Sequence, residues 1–281
     1  MEKGRSAGVL DCNTAKVFRV AINENSNLAA TYSRSIGFDP TIKIWSVGDD
    51  KVQCKATLNV PENLYALCCH QNWLLSASKE GPIKVWDISG SAPVALMDLP
   101  LSCTPFNIVA SESHGYVLYG GRLLLDDSTS LALSDFRTGK PVRLMNGHKD
   151  TAFSISADSN FVTAVSGSWD KTVKLWDLGS GKCIDTFQHD QPLTYVHMHE
   201  SGSIICSLDA KRCLRFFAVS DGMHGEVRSA VDLEAVCDVE SAPGDISKTT
   251  SGFKMAVKRD MSCVAARFNT NISTVKTMLW S

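Results

Sequence analysis

The stretch SGSWDKTVKLWDLGSGKCIDTF (166–187) contains two runs of alternating apolar and polar residues joined by a short polar turn. Alternation with a period of two is typical of a half-buried β-strand. Related runs, most of them with an aromatic residue at or near the end, occur along the chain: TIKIWSV (41–47), PIKVWDI (82–88), SLALSDF (130–136), CLRFFAV (213–219) and STVKTMLW (273–280). A strand pattern that returns at nearly regular intervals indicates a repeat architecture.

Each repeat contains more strands than the one that carries the aromatic residue. Two shorter alternating runs precede that strand, as in FSISAD and FVTAVSGS before Trp176, and a fourth run follows it, as in KCIDTF. The connections are polar and short enough for hairpins. No segment of a dozen residues has a helical period, so the sequence predicts an all-β fold of four-stranded units.

The 166–187 stretch, preceded by Gly147 and His148, resembles a WD40 repeat. It has the Gly-His pair, the pattern S-x-S-x-D and an alternating strand that ends in Trp-Asp. The stretches ASKEGPIKVWD (77–87) and FDPTIKIWS (38–46) are similar, and the remaining repeats are degenerate. The resemblance covers roughly residues 7–280 and implies a β-propeller of four-stranded blades around a channel.

The number of blades follows from the innermost strands, which we expect to start near residues 17, 64, 106, 151, 193 and 252. This predicts six blades in a single domain over residues 1–281. The run AGVLDC (7–12) would supply the missing outer strand of the last blade and close the ring. The acidic segment 221–251 is expected to be a loop insertion, although a seventh blade there remains an alternative.

Composition excludes several classes of protein. The chain has 281 residues and a formal net charge of −2, which gives no indication of direct nucleic-acid binding. No run is long and apolar enough for a signal peptide or a membrane span. Several of the ten cysteines, such as Cys68, Cys69 and Cys206, lie inside apolar strands. Free thiols of this kind predict a reducing compartment, the cytoplasm or the nucleus.

The resemblance also implies a structural role for four polar residues of the fourth repeat. In WD40 repeats the indole of Trp176 would donate to Ser166, which would pair with His148, and His148 with Asp170. A Ser-His-Asp set is also typical of hydrolases, but no nucleophile-elbow or oxyanion-hole motif accompanies it. In the second repeat, Asn63 stands near the place of the histidine. We find no motif for a metal ion, a phosphate loop or a cofactor, and therefore expect none, and no catalytic residue.

Partner binding is therefore expected at loops. In WD40 proteins the loops that enter the first strand and those between the second and third strands share one face, which commonly binds peptides. Basic and aromatic residues fall at this place and are candidates for partner binding: Arg34, Phe38, Lys79, Arg122, Trp169 and Arg267. Arginine and aromatic residues dominate binding energy at many interfaces, and arginine pairs well with carboxylates and phosphates. The hypothesis is that this face binds an acidic or phosphorylated peptide.

The function most favoured by the sequence is a non-enzymatic interaction scaffold or adaptor subunit of a multiprotein complex. The first alternative is a substrate receptor of a ubiquitin ligase that binds acidic or phosphorylated motifs. Such receptors usually carry an F-box or similar helical segment, so this alternative requires a longer form of the chain or a direct adaptor-binding surface. The second alternative is a propeller enzyme, which is disfavoured because no ring of catalytic groups is recognisable. No membrane contact is expected.

Overall fold

The computed structural model describes residues 16–23, 27–35, 38–47, 52–60, 63–78, 81–111, 113–122, 129–211, 213–219, 231–232, 254–257, 263–267 and 276–279. Every regular element in these ranges is a β-strand, and the strands within residues 16–99 and 152–279 pair antiparallel. The prediction of an all-β fold is therefore confirmed. Within the same ranges, no helix is long and apolar enough to cross a membrane.

The chain divides into two compact units, and the first comprises residues 1–119 and 132–142. Its first sheet has the order β1-β2-β3-β4 and consists of Lys16–Asn23, Leu28–Ser35, Phe38–Val47 and Val52–Asn59. Its second sheet has the order β5-β6-β7-β8 and consists of Leu64–His70, Trp73–Ser78, Ile83–Asp87 and Val94–Leu99. A third sheet along the chain consists of β9 to β12, which are Thr104–Ser111, Tyr116–Arg122, Thr129–Asp135 and Lys140–Asn146.

The second unit comprises residues 120–131 and 143–281. The fourth sheet runs from β13 to β16 and consists of Ala152–Ala157, Thr163–Ser168, Thr172–Asp177 and Lys182–Gln188. The fifth sheet runs from β17 to β20 and consists of Leu193–Met198, Ile204–Asp209, Leu214–Ala218 and Val231–Asp232. The last sheet contains three strands among the described residues, β21 to β23, which are Lys254–Val257, Cys263–Arg267 and Lys276–Leu279.

Within each unit, neighbouring sheets meet along their first strands. In the first unit β1 lies against β5 and β5 against β9, and in the second unit β13 lies against β17. The six first strands begin at residues 16, 64, 104, 152, 193 and 254, within two residues of the starts that the sequence predicts. Four-stranded antiparallel sheets that neighbour each other through their first strands are the arrangement of propeller blades, as the WD40 resemblance implies.

The second, third and fourth sheets are buried at their second strands and largely exposed at their outer strands. The second strand of the fourth sheet, β14, is almost wholly buried, whereas most residues of the outer strands β8 and β16 are exposed or half-buried. In the first unit Ile42 and Ile44 of β3 pack with Leu74 of β6 in one cluster. Burying each such side chain contributes roughly 1.5–3 kcal/mol, so these contacts between neighbouring sheets are a main source of stability.

One strand lies inside the segment that the sequence analysis treats as a loop insertion. Val231 and Asp232 pair with Phe216 and Arg215 of β19 and form the outer strand of the fifth sheet. Two residues of the segment 221–251 are therefore part of a sheet, and its other residues lie outside the described ranges. The run 7–12, predicted to close the ring, also lies outside them.

Candidate functional site

A chain of hydrogen bonds links four side chains inside the fourth sheet. The indole Nε1 of Trp176 donates to Ser166 Oγ at 2.7 Å, and Ser166 Oγ lies 2.7 Å from His148 Nε2. His148 Nδ1 lies 2.9 Å from Asp170 Oδ2. A neutral imidazole with its proton on Nδ1 satisfies all of these contacts, because Ser166 then donates to His148 and His148 donates to Asp170.

Asp170 accepts further hydrogen bonds that keep it ionised. The backbone N–H groups of Lys149 and Thr172 donate to its carboxylate at 2.8 and 2.9 Å, and the Thr172 hydroxyl donates at 2.6 Å. Burial by itself would raise the pKa of Asp170. The hydrogen bonds from His148 and Thr172 outweigh burial and hold the pKa of this carboxyl well below its usual range. The carboxylate therefore joins the loop before β13 to the turn between β14 and β15.

The burial of Ser166 argues against a hydrolytic role for this Ser-His-Asp set. The Ser166 side chain is fully buried, and so is Trp176, whose indole N–H donates a hydrogen bond to Ser166 Oγ. A nucleophilic oxygen must reach a substrate carbonyl, and this oxygen has no route to one. The geometry fits a clamp that satisfies buried polar groups inside a sheet. Among the described residues, no cluster of His, Cys, Asp or Glu is placed to hold a metal ion.

Other sheets keep only parts of this hydrogen-bond chain. In the fifth sheet Ser207 Oγ lies 2.9 Å from His189 Nε2, but Phe217 takes the place of the tryptophan. In the second sheet Trp86 Nε1 donates to Ser76 Oγ at 3.0 Å. In the first sheet a threonine takes the place of the serine and accepts from the Trp45 indole at 2.9 Å.

The place of the histidine in the second sheet is taken by Val60. The Val60 N–H donates to Pro40 O at 3.0 Å, and the corresponding N–H of His189 donates to Lys171 O at 2.8 Å. Val60 lines a cavity of about 80 Å³ together with Ser76 and other residues. Asn63, which the sequence places near the histidine position, instead accepts a hydrogen bond from Arg34. The histidine position of the second sheet is therefore occupied three residues earlier in the chain than the sequence suggests, by Val60 and not by Asn63.

The first strands share an irregularity that sequence reasoning missed. In four sheets the pairing of the first and second strands shifts near the start of the first strand, which leaves one unpaired residue there. These bulge residues are Phe18, Tyr65, Phe153 and Thr194. Bulges redirect a side chain, and here they lie at the end of the sheet where the second strand finishes. We call this end of each sheet, with the loops that meet there, its loop face.

Two predicted partner-binding residues contact bulge residues on the loop face. In the first sheet the Arg34 guanidinium lies over the Phe18 ring, 4.6 Å from its centroid. In the fourth sheet Trp169 stacks on Phe153 with ring centroids 5.7 Å apart and an interplanar angle of 22°. Arg34 and Trp169 are both exposed, and Trp169 retains 42% of its accessible surface. Each presents a charged or aromatic group that a ring holds in place.

The other predicted partner-binding residues are placed less completely. Arg122 is exposed at the end of β10. Phe38 begins β3 and Arg267 ends β22, but their side chains lie outside the described residues. Lys79 also lies outside them.

Another aromatic pair of the first unit includes the bulge residue of β5. Tyr65 of β5 and Phe106 of β9 stack with ring centroids 5.0 Å apart. Arg19 links β1 to β5, because its Nε donates to Tyr65 O at 2.5 Å and its Nη1 donates to Phe18 O at 2.9 Å. Burial lowers the pKa of Arg19 below its usual range. Its guanidinium is thus engaged with backbone carbonyls in the body of the unit.

Comparison with known proteins gives one family match and several relatives of 25–28% identity. Residues 139–177 match the family model of the WD domain, G-beta repeat. The chain is 27% identical to striatin-4 of Homo sapiens over 194 residues, which cover 51% of this chain and 26% of striatin-4.

Two further relatives show similar identity. The CCR4-associated factor 4 homolog of Candida glabrata is 28% identical over 187 residues, covering 66% of this chain and 24% of the relative. Periodic tryptophan protein 2 of Arabidopsis thaliana is 25% identical over 209 residues, covering 73% of this chain and 22% of the relative. The chain spans about a quarter of the length of the curated relatives it matches.

Proposed function

Because this chain is a WD40-repeat protein, we propose that it acts as a non-enzymatic scaffold or adaptor subunit of a larger complex and binds protein partners on its loop face. One observation carries this proposal. Arg34 and Trp169 are exposed on the loop faces of their sheets and are each held by an aromatic bulge residue. One relative is named as a homolog of a CCR4-associated factor, which is consistent with a role inside a complex.

The architecture that goes with this function is a six-bladed propeller in a single domain over residues 1–281. The contacts between first strands within each unit support blades that stand side by side. The run 7–12 would close the ring as the outer strand of the last blade, and the segment 221–251 would be largely a loop. A seventh blade is the alternative. We place the protein in the cytoplasm or the nucleus.

We propose that the partner segment is acidic or phosphorylated. The residues that would contact it are Arg34, Phe38, Lys79, Arg122, Trp169 and Arg267. Arginine forms charge-assisted, often bidentate hydrogen bonds with carboxylates and phosphates, and aromatic side chains contribute large contact areas. The exposed guanidinium of Arg34, held against Phe18, supports this assignment.

Affinity purification of the tagged full chain, followed by mass spectrometry, tests the scaffold function. The variant Arg34→Glu with Arg122→Glu should lose its partners. The control, Lys140→Glu with Lys182→Glu, changes the net charge by the same amount. Both lysines are exposed at the start of a fourth strand, at the end of the sheet opposite its loop face. This control should keep the partners. Retention of all partners by the Arg34 and Arg122 variant would contradict the proposal.

The same purification separates the alternative function, a substrate receptor of a ubiquitin ligase. That function would use the same basic residues, since acidic or phosphorylated degradation motifs bind to positively charged side chains. Ubiquitin-ligase subunits among the captured proteins would favour it. Phosphatase treatment before capture distinguishes a phosphorylated partner, which would be lost, from an acidic one, which would remain.

A further inference from the structure

The loop face of the first two sheets contains an arginine that is fixed on two sides. The Arg34 guanidinium lies 4.6 Å from the centroid of the Phe18 ring, and its Nη1 donates to Asn63 Oδ1. Phe18 is held in turn as the bulge residue of β1, and Asn63 directly precedes β5. A side chain restrained in this way loses less conformational entropy when it binds a ligand than a freely rotating arginine does.

The charge of Arg34 is not compensated within the part of the chain that the structure describes. No carboxylate there lies within 4.0 Å of its guanidinium. By contrast, Arg137 lies 3.8 Å from Asp135, and Arg215 lies 3.5 Å from Asp190. Arg34 is thus held in position, and its positive charge has no carboxylate partner among the described residues.

An aromatic pair begins two residues after Asn63 on the same loop face. Tyr65 is the bulge residue of β5, two positions after Asn63, and it stacks on Phe106 with ring centroids 5.0 Å apart. Both rings are half-buried, so part of each remains accessible. An anion site and half-buried rings on one loop face, linked through Asn63 and Tyr65, suit a peptide in which an acidic residue neighbours an apolar one.

On the premise of the scaffold function, we propose that Phe18, Arg34 and Asn63 form an anchor site for an aspartate or glutamate side chain of an unphosphorylated partner peptide. The neighbouring apolar side chain of that peptide packs on Tyr65 and Phe106. The planar guanidinium matches a carboxylate in a bidentate pair. A phosphate carries nearly two charges and would call for a second cation, and Arg19 uses its Nε and Nη1 on backbone carbonyls.

The fifth sheet provides a natural comparison without these features. Its bulge residue is Thr194, and Ala210 occupies the place of Arg34 and Trp169, since the Ala210 N–H donates to Pro192 O as the Trp169 N–H donates to Thr151 O. Lys211, which follows, is exposed on this loop face. The variant Lys211→Gln therefore removes one loop-face charge from a different sheet, which lacks the anchor-site residues, and is the matched control for Arg34→Gln.

Binding of three randomised peptide pools to the full chain tests the anchor site. The pools share a fixed phenylalanine and differ only in the residue before it, which is glutamate, glutamine or phosphoserine. We expect the glutamate pool to bind best. Arg34→Gln should weaken its binding by about tenfold or more, because a charge-assisted pair is lost. Arg34→Lys should not restore it, and Lys211→Gln should leave it unchanged. Urea unfolding midpoints confirm that each variant is folded.

Several results would overturn the proposal. These are equal binding of the glutamate and glutamine pools, a preference for the phosphoserine pool, or equal effects of Arg34→Gln and Lys211→Gln. The outcome is separable from the scaffold function. If no pool binds but the charge reversal at Arg34 and Arg122 still removes the co-purified partners, the anchor site is wrong and the scaffold function stands. If the charge reversal leaves all partners bound, the scaffold proposal itself fails.

Discussion

Replacing Asp170 by asparagine tests whether the buried Ser-His-Asp set holds the fourth sheet together. The carboxylate accepts hydrogen bonds from His148 Nδ1, from the Lys149 N–H and from both the N–H and the hydroxyl of Thr172. An asparagine side chain has one acceptor oxygen and presents N–H donors in place of the other. Each carboxylate oxygen accepts two of these hydrogen bonds, so two donors lose their acceptor whichever oxygen becomes the amide nitrogen.

The expected loss of stability follows from these contacts. Leaving a buried donor without a partner costs about 1–3 kcal/mol, so two such donors make roughly 3 kcal/mol for Asp170→Asn. At about 2–4 °C per kcal/mol, the melting temperature falls by roughly 6–12 °C. Urea unfolding followed by tryptophan fluorescence measures the change in free energy of unfolding.

The control for this prediction is Asp177→Asn. Asp177 Oδ1 accepts from the N–H groups of Gly179 and Ser180 in an exposed turn, and an asparagine can make the same contacts. Its loss should stay below about 0.5 kcal/mol. A loss for Asp170→Asn no larger than that of the control would refute the structural role of this carboxylate.

The effect of Asp170→Asn should also depend on pH. The folded-state pKa of Asp170 is depressed, so its carboxylate stabilises the fold above the unfolded-state pKa of about 3.9, and this contribution is lost as the pH falls below it. The stability gap between the parent and the variant should therefore stay constant above about pH 5 and shrink as the pH falls from about 5 towards about 2. A gap that stays constant or widens in this lower range would contradict the reasoning.

The remaining predictions concern packing and thiols. A Cβ at Gly167 would lie 2.6 Å from Val196 Cγ1 of the neighbouring first strand, so Gly167→Ala should cost about 1–3 kcal/mol in urea unfolding, whereas Gly90→Ala, with no Cβ contact closer than 3.6 Å, should cost nearly nothing. Equal effects of the two would contradict the close approach of β14 and β17. In alkylation mapped by mass spectrometry, exposed Cys54 and Cys183 should react first. Cys69 and Cys103 should react slowly, because burial raises the pKa of each thiol to about 12. Rapid labelling of these two in the folded protein would contradict their burial.

Much of the fold could be predicted because the buried strands follow a local rule. In the run before Trp176, alternate residues face the neighbouring sheets, so Val173 and Leu175 are buried while Lys174 is only half-buried. A period of two therefore reveals each strand without knowledge of its partners. Four of the aromatic residues that end these strands are buried, and they were visible for the same reason: Trp45, Phe136, Trp176 and Phe217.

The loop face was harder to predict because bulges and loop alignments depend on pairing. A bulge moves one residue out of register, and nothing in the run around Phe18 or Phe153 distinguishes it from a regular strand. The contact between Arg34 and Asn63 joins two sheets, so no local pattern reveals it. In the second sheet Val60 lies at the histidine position, and only the backbone contact with Pro40 identifies it.

Cross-linking mass spectrometry of the purified complex tests most directly whether the loop face is the working surface. Lys149, Lys171 and Lys211 are exposed on the loop faces of the fourth and fifth sheets, whereas Lys182 is exposed at the opposite end of the fourth sheet. We expect cross-links to partner proteins to concentrate on the three loop-face lysines. Partner cross-links that concentrate on Lys182 and spare the loop-face lysines would contradict it.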